Sequence, residues 1–75
     1  MAKDPAKEYL KKFGENLKIV RESKRLTQRS LSSTCTIDHS DISKMERGEK
    51  NITLLTVLEL AEALEVKPKK LLDFE

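Results

Sequence analysis

Residues 27–48, TQRSLSSTCTIDHSDISKMERG, decide how this chain folds. They read as two short helices joined by a tight turn. Thr27 is placed to cap a helix over residues 28–34, and Cys35, Thr36 and Ile37 form the turn. Asp38 caps a second helix over residues 39–47, and Gly48 stops it. A Ser, Thr, Asp or Asn before a periodic segment accepts hydrogen bonds from free amides at the helix start, and a Gly after it takes the left-handed conformation without strain. Asp41, three residues after Asp38, gives the pair the form of a capping box with Asp in place of Glu.

At about 100° per residue the second helix sorts its side chains by face. His39, Ser40, Ser43, Lys44 and Arg47 share a polar side; Ile42 and Met45 point the other way, with Glu46 at the boundary. A short helix with free donors and cations on its outer side suits the major groove of DNA.

Outward from this segment, Asp4 and Pro5 open a helical segment that runs AKEYLKKFGENLKIVRESK, residues 6–24. Leu10, Phe13, Leu17 and Val20 recur there at helical spacing, and Gly14 marks a kink or a separate first turn. No Gly marks the turn at residues 24–26. After Gly48 comes a polar loop, and Thr53 caps LLTVLELAEAL, residues 54–64. Leu54, Val57, Leu58, Ala61 and Leu64 form its apolar stripe, which Leu55 and Leu60 widen. Two explanations fit so wide a stripe: a central helix contacted on several sides, or a helix with a partner surface. Pro68 begins a last short helix, and Phe74 beyond it either caps the core or joins a dimer contact. No strand pattern, repeat or low-complexity tract is present.

The chain has 75 residues, room for one small domain. Fifteen basic and 13 acidic residues leave a net charge of +2, a mild bias whose distribution matters more than its sum. Aromatics at 4% argue against a stacking platform for single strands. One Cys allows no internal disulfide, which fits a reducing cytoplasm; Cys35 is expected to be a small buried hydrophobe. No apolar run approaches the length of a membrane span, and no signal core is present. One His and one Cys offer no catalytic constellation and no metal site, so neither an enzyme nor a cofactor is expected. No small-molecule ligand is expected either.

With these residues in hand, the chain resembles the phage repressor/Cro-like, Xre-type, helix-turn-helix regulators. FGENLKIVRESKRLTQ is similar to the family's first helix, Leu31 to the core leucine of the second, and IDHSDISKMERG to the recognition helix. NITLLTVLELAEALEV and KKLL are similar to the last two helices. The segment IDHSDIS…ERGEKNITL also looks like the subset containing restriction–modification controller proteins. The resemblance implies an all-α bundle of four to five short helices of the lambda-repressor-like type, with the helix-turn-helix formed by helices 2 and 3. Residues 1–12 are then a partly helical extension and residues 13–75 the DNA-binding domain.

The implied function is a cytoplasmic, sequence-specific transcription regulator, repressor or controller, that binds a near-palindromic operator as a homodimer. An antitoxin-like protein-interaction module is the alternative. Thr27, Gln28 and Arg29 are candidates for phosphate or supporting contacts; His39, Ser40, Ser43 and Lys44 for base edges; Arg47, Lys50 and Asn51 for phosphates. The resemblance pairs Arg21 with Glu46 in an internal ion pair. Leu55, Leu58 and Phe74 are dimer-face candidates, and Glu59 and Glu62 form an acidic patch suited to activation. Thr36, Arg25 and Glu65 stand at turn positions where the family usually has Gly. A β-branched Thr at positive φ is strained, so the turn at Thr36 is expected to take another backbone path.

Overall fold

The computed structural model describes residues 4–74. Among these residues five helices follow in order: α1 (Pro5–Ser23), α2 (Gln28–Ser32), α3 (His39–Glu46), α4 (Leu54–Leu64) and α5 (Pro68–Leu71). No strand occurs among the described residues. The expected loose start at residues 1–3 lies outside them.

α1 begins where the Asp4 carboxylate accepts the Ala6 N–H at 3.0 Å, with Pro5 in the first turn. It then runs unbroken to Ser23, so the kink expected at Gly14 is absent. The boundary drawn between residues 12 and 13 falls inside this helix. Gly14 serves packing instead. A Cβ there would stand 2.3 Å from the Met45 carbonyl oxygen and 2.6 Å from that of Glu46. The missing side chain lets α1 meet the end of α3 backbone to backbone. Gly48, at φ +73°, lies against the same helix, where a Cβ would come 2.7 Å from Lys11 Cα.

Three helices end in the same way. After α3, Gly48 N–H donates to Met45 O at 3.1 Å and Glu49 N–H to Lys44 O at 2.9 Å. After α1, Arg25 N–H donates to Glu22 O and Leu26 N–H to Arg21 O. After α4, Glu65 N–H donates to Glu62 O and Val66 N–H to Ala61 O. This double bond pattern is the Schellman motif, and it needs a left-handed residue. Gly48 supplies it freely, whereas Arg25 (φ 59°) and Glu65 (φ 58°) adopt it at a cost of about 1–2 kcal/mol each. The following Leu26 and Val66 pack on the core and help offset that cost. The turn without Gly is therefore a regular helix stop.

The core gathers Phe13, Leu17 and Val20 from α1, Leu31 from α2, Ile42 and Met45 from α3, Val57, Leu60, Ala61 and Leu64 from α4, and Leu71 from α5. Leu60 belongs to the buried stripe of α4, and Leu54 and Leu58 do not. Leu54 (68% exposed), Leu55 (76%) and Leu58 (43%) form an outer face instead. Of the two explanations for the wide stripe, contact on several sides fails: one side of α4 is covered and the other is open. Phe74 is half-buried and packs its ring against Tyr9 (6.1 Å between centroids) and Phe13 (6.5 Å). Within the monomer it caps the core. Asn16 of α1 closes α5, its amide donating to Lys70 O at 2.9 Å and Leu71 O at 3.0 Å. So short a helix leaves its last carbonyls to outside donors, and Asn16 adds to the Asp73 N–H that reaches Lys70 O at 3.4 Å.

Candidate nucleic-acid interface

Thr27 and Ser30 form a reciprocal cap on α2. Thr27 Oγ1 accepts Ser30 N–H at 3.0 Å, and Ser30 Oγ accepts Thr27 N–H at 2.8 Å. The helix ends at Ser32 rather than Thr34. The reason is a run of side-chain donors that compete for backbone carbonyls. Ser33 Oγ donates to Ser30 O at 2.7 Å, Thr34 Oγ1 to Leu31 O at 2.8 Å and Ser32 Oγ to Ile37 O at 2.8 Å. The connection therefore spans residues 33–38 and is longer than the three-residue turn expected. No residue of this connection, Thr36 included, has a positive φ. Cys35 is half-buried rather than buried, and its thiol donates to Leu31 O at 3.4 Å.

Asp38 caps α3, but not through a box with Asp41. Its carboxylate accepts Ser40 N–H at 3.0 Å and also the Ser40 hydroxyl. These bonds, the hydroxyl's first, hold the Asp38 carboxyl below its ordinary range. Asp41 instead lies 3.6 Å from Lys50 Nζ in the following loop.

Behind α3, Glu46 joins three helices. Arg21 Nε donates to its Oε2 at 2.7 Å, Arg21 Nη2 to Oε1 at 3.1 Å and Gln28 Nε2 to Oε1 at 3.0 Å. Arg21 Nη1 also reaches Leu26 O at 2.6 Å. Arg21 is 7% exposed and Glu46 9%. Two buried charges are tolerable only when paired and fully hydrogen-bonded, as here. The hydrogen bonds that Arg21 donates to the Glu46 carboxylate raise the Arg21 pKa above its ordinary value, against the opposing effect of burial.

The two sides of α3 thus differ in chemistry. Ile42, Met45 and Glu46 face inward; Ser40, Lys44 and Arg47 are exposed, and His39 and Ser43 are half-buried. Arg47 Nη1 donates to Ser43 Oγ at 2.5 Å, and its Nε lies 3.1 Å from Glu49. Among the described residues the Arg29 and Lys44 side chains have no hydrogen-bonding or charged partner. Of the residues singled out in the sequence, Thr27 and Gln28 are turned to internal bonds. His39, Ser40, Ser43, Lys44 and Arg47 share one helix, with Lys50 and Asn51 in the loop beyond it. Glu59, of the acidic pair with Glu62, accepts both donors of Thr36: N–H at 2.6 Å and Oγ1 at 2.5 Å. No local pattern signals that bond, because 23 residues separate the partners.

A helix-turn-helix family model matches residues 17–71, from the second half of α1 to the end of α5. The chain belongs to the helix-turn-helix family. Within that family it is similar to the control protein C.BamHI of Bacillus amyloliquefaciens, 38% identical over 63 residues that cover 83% of this chain and 78% of the relative. Among solved structures it is similar to the restriction–modification controller protein C.AhdI of Aeromonas hydrophila. There the TM-score is 0.80 and the identity 39%, covering 83% of this chain and 94% of the other. The restriction–modification controller protein C.Esp1396I follows with a TM-score of 0.79 and 28% identity, over 87% of this chain and 84% of the other. The helix-turn-helix of this chain is α2 and α3, and no helix among the described residues is long and apolar enough to cross a membrane.

Proposed function

We propose that this chain is a controller-type transcription regulator that binds double-stranded DNA as a homodimer and reads a near-palindromic operator with α3 in the major groove. The observation that carries the reading is the outward face of α3. It holds His39, Ser43 and an unpartnered Lys44 together, while the Glu46 network fixes the helix from behind. Lys44 suits guanine O6 or N7, and His39 and Ser43 suit purine acceptors. Arg29, Arg47, Lys50 and Asn51 flank this face and contact phosphates. Thr27 and Gln28 act one step back, by holding α2 and α3 together. The open face of Leu54, Leu55 and Leu58 is the dimer surface. Doubling the recognition helix extends the few base pairs that one α3 covers.

Selection from a pool of random duplexes at two salt concentrations tests this reading. The expected result is an enriched inverted repeat whose half-site centres lie about 34 Å apart, one helical turn. Lys44→Ala lowers affinity for that repeat by about 1–3 kcal/mol and relaxes preference at one base pair per half-site. Salt-sensitive binding with no enriched sequence defeats the operator reading.

The dimer surface has its own test. Leu55→Glu places a charge where two apolar faces meet. It raises the dimer dissociation constant about 100-fold or more, measured by sedimentation, because each Leu removed from water contributes about 1.5–3 kcal/mol and the change occurs in both copies. A variant that stays dimeric moves the interface elsewhere.

A further inference from the structure

The bond between Glu59 and Thr36 joins two parts of the molecule that otherwise meet only through apolar contact. Among the described residues no other hydrogen bond or ion pair connects α4 with residues 27–48. One side of α4 carries the open leucines, and the helix packs mainly against α5. The connection between α2 and α3 contains neither Gly nor Pro. Its Thr36 N–H and hydroxyl both converge on one carboxylate oxygen, Glu59 Oε2.

We infer that Glu59 is a positioning residue for DNA recognition: it holds the α2–α3 turn to the helix that forms the dimer surface, and so fixes the spacing between the two recognition helices. The inference rests on the dimeric operator reading above. Its physical basis is the direction of the bond. Core side chains such as Leu31, Ile42, Leu60 and Leu64 bury area but fix direction weakly, since apolar contact is non-directional. Two charge-assisted hydrogen bonds to one oxygen constrain both distance and angle. The bond is at the surface, so its contribution to folding is small and its effect on binding is separable. The Thr36 hydroxyl first and its N–H second hold the Glu59 carboxyl below its ordinary range. Lys24, Glu62 and Glu65 line the same groove and provide the remaining charges near it.

The test compares the wild type with Glu59→Ala, Glu59→Gln and Thr36→Val on three duplexes: the selected inverted repeat, the same half-sites moved apart by one base pair, and a single half-site. The wild type discriminates between the two spacings. Glu59→Ala is expected to lose about tenfold of that discrimination, while affinity for the single half-site stays within about twofold and the melting temperature is little changed. Glu59→Gln keeps a carbonyl oxygen that accepts both donors and restores the preference. Thr36→Val, which loses only the hydroxyl, is intermediate. An unaltered spacing preference in Glu59→Ala overturns the inference.

A second measurement needs no DNA. The Thr36 amide resonance should follow a carboxylate titration below the ordinary range in the wild type, and should not in Glu59→Gln. A Thr36 amide that ignores the titration overturns the inference at its base. A Thr36 amide that follows it, in a chain that selects no inverted repeat, shows that the operator reading is what failed and removes the positioning role with it.

Discussion

Arg21→Ala is expected to destabilise the fold by about 3–5 kcal/mol, the largest effect of any single substitution considered. The guanidinium gives three hydrogen bonds, two to Glu46 and one to Leu26 O. Removing it leaves the Glu46 carboxylate buried with only the Gln28 amide as donor, and leaves the Leu26 carbonyl without that donor. A chain of this size has a total stability of roughly 4–11 kcal/mol, so the loss is a large share of the whole. The melting temperature should fall by about 12 °C or more.

The result that contradicts the argument is an unchanged melting temperature. The double variant Arg21→Met with Glu46→Leu separates the two possible origins of the loss. If the cost is an orphaned charge, removing both charges and keeping the volume recovers most of the stability. DNA affinity measured well below the melting transition should fall less than stability does, because neither residue faces outward.

Gly14→Ala is expected to destabilise by about 1–3 kcal/mol, although the same change in an isolated helix stabilises by about 1 kcal/mol. The new methyl would sit 2.3 Å from the Met45 carbonyl oxygen and 2.7 Å from the Glu46 carbonyl carbon. These are backbone atoms at the end of α3, so no flexible side chain can move aside. Relief requires α1 and α3 to separate, which also stretches the bonds between Arg21 and Glu46 two turns further along α1. The two effects share a network, so Gly14→Ala combined with Arg21→Ala should be less than additive. Urea denaturation decides the sign: a midpoint higher than that of the wild type would show that the two helices can part without cost.

The two substitutions also separate what was legible in the chain from what was not. Asp4, Thr27, Asp38 and Thr53 each mark a helix start, and each accepts an amide two or three residues on. Such bonds are formed within one turn of chain, so residue types at short spacing specify them. The same locality made Gly48 readable as a stop. Where local reading failed, competing local donors were the reason in two places. The hydroxyls of residues 32–34 shortened α2, and Ser40 took the bond expected of Asp41 as a box partner. The outward side of α3 was legible as a set, because helical periodicity places residues on a face without knowledge of what covers the other.

The sequence by itself therefore narrowed the fold to four or five helices and determined where they begin and which side of α3 is polar. All of these follow from interactions a few residues apart. Only the tertiary structure decided that Gly14 is a contact rather than a kink, that Leu60 is buried while Leu54 and Leu58 are open, and that Thr36 is bound to Glu59 across 23 residues of chain. Each of these depends on the angle and distance at which two helices pack. The summed contacts of the whole core set that geometry, and no pattern within one segment contains it.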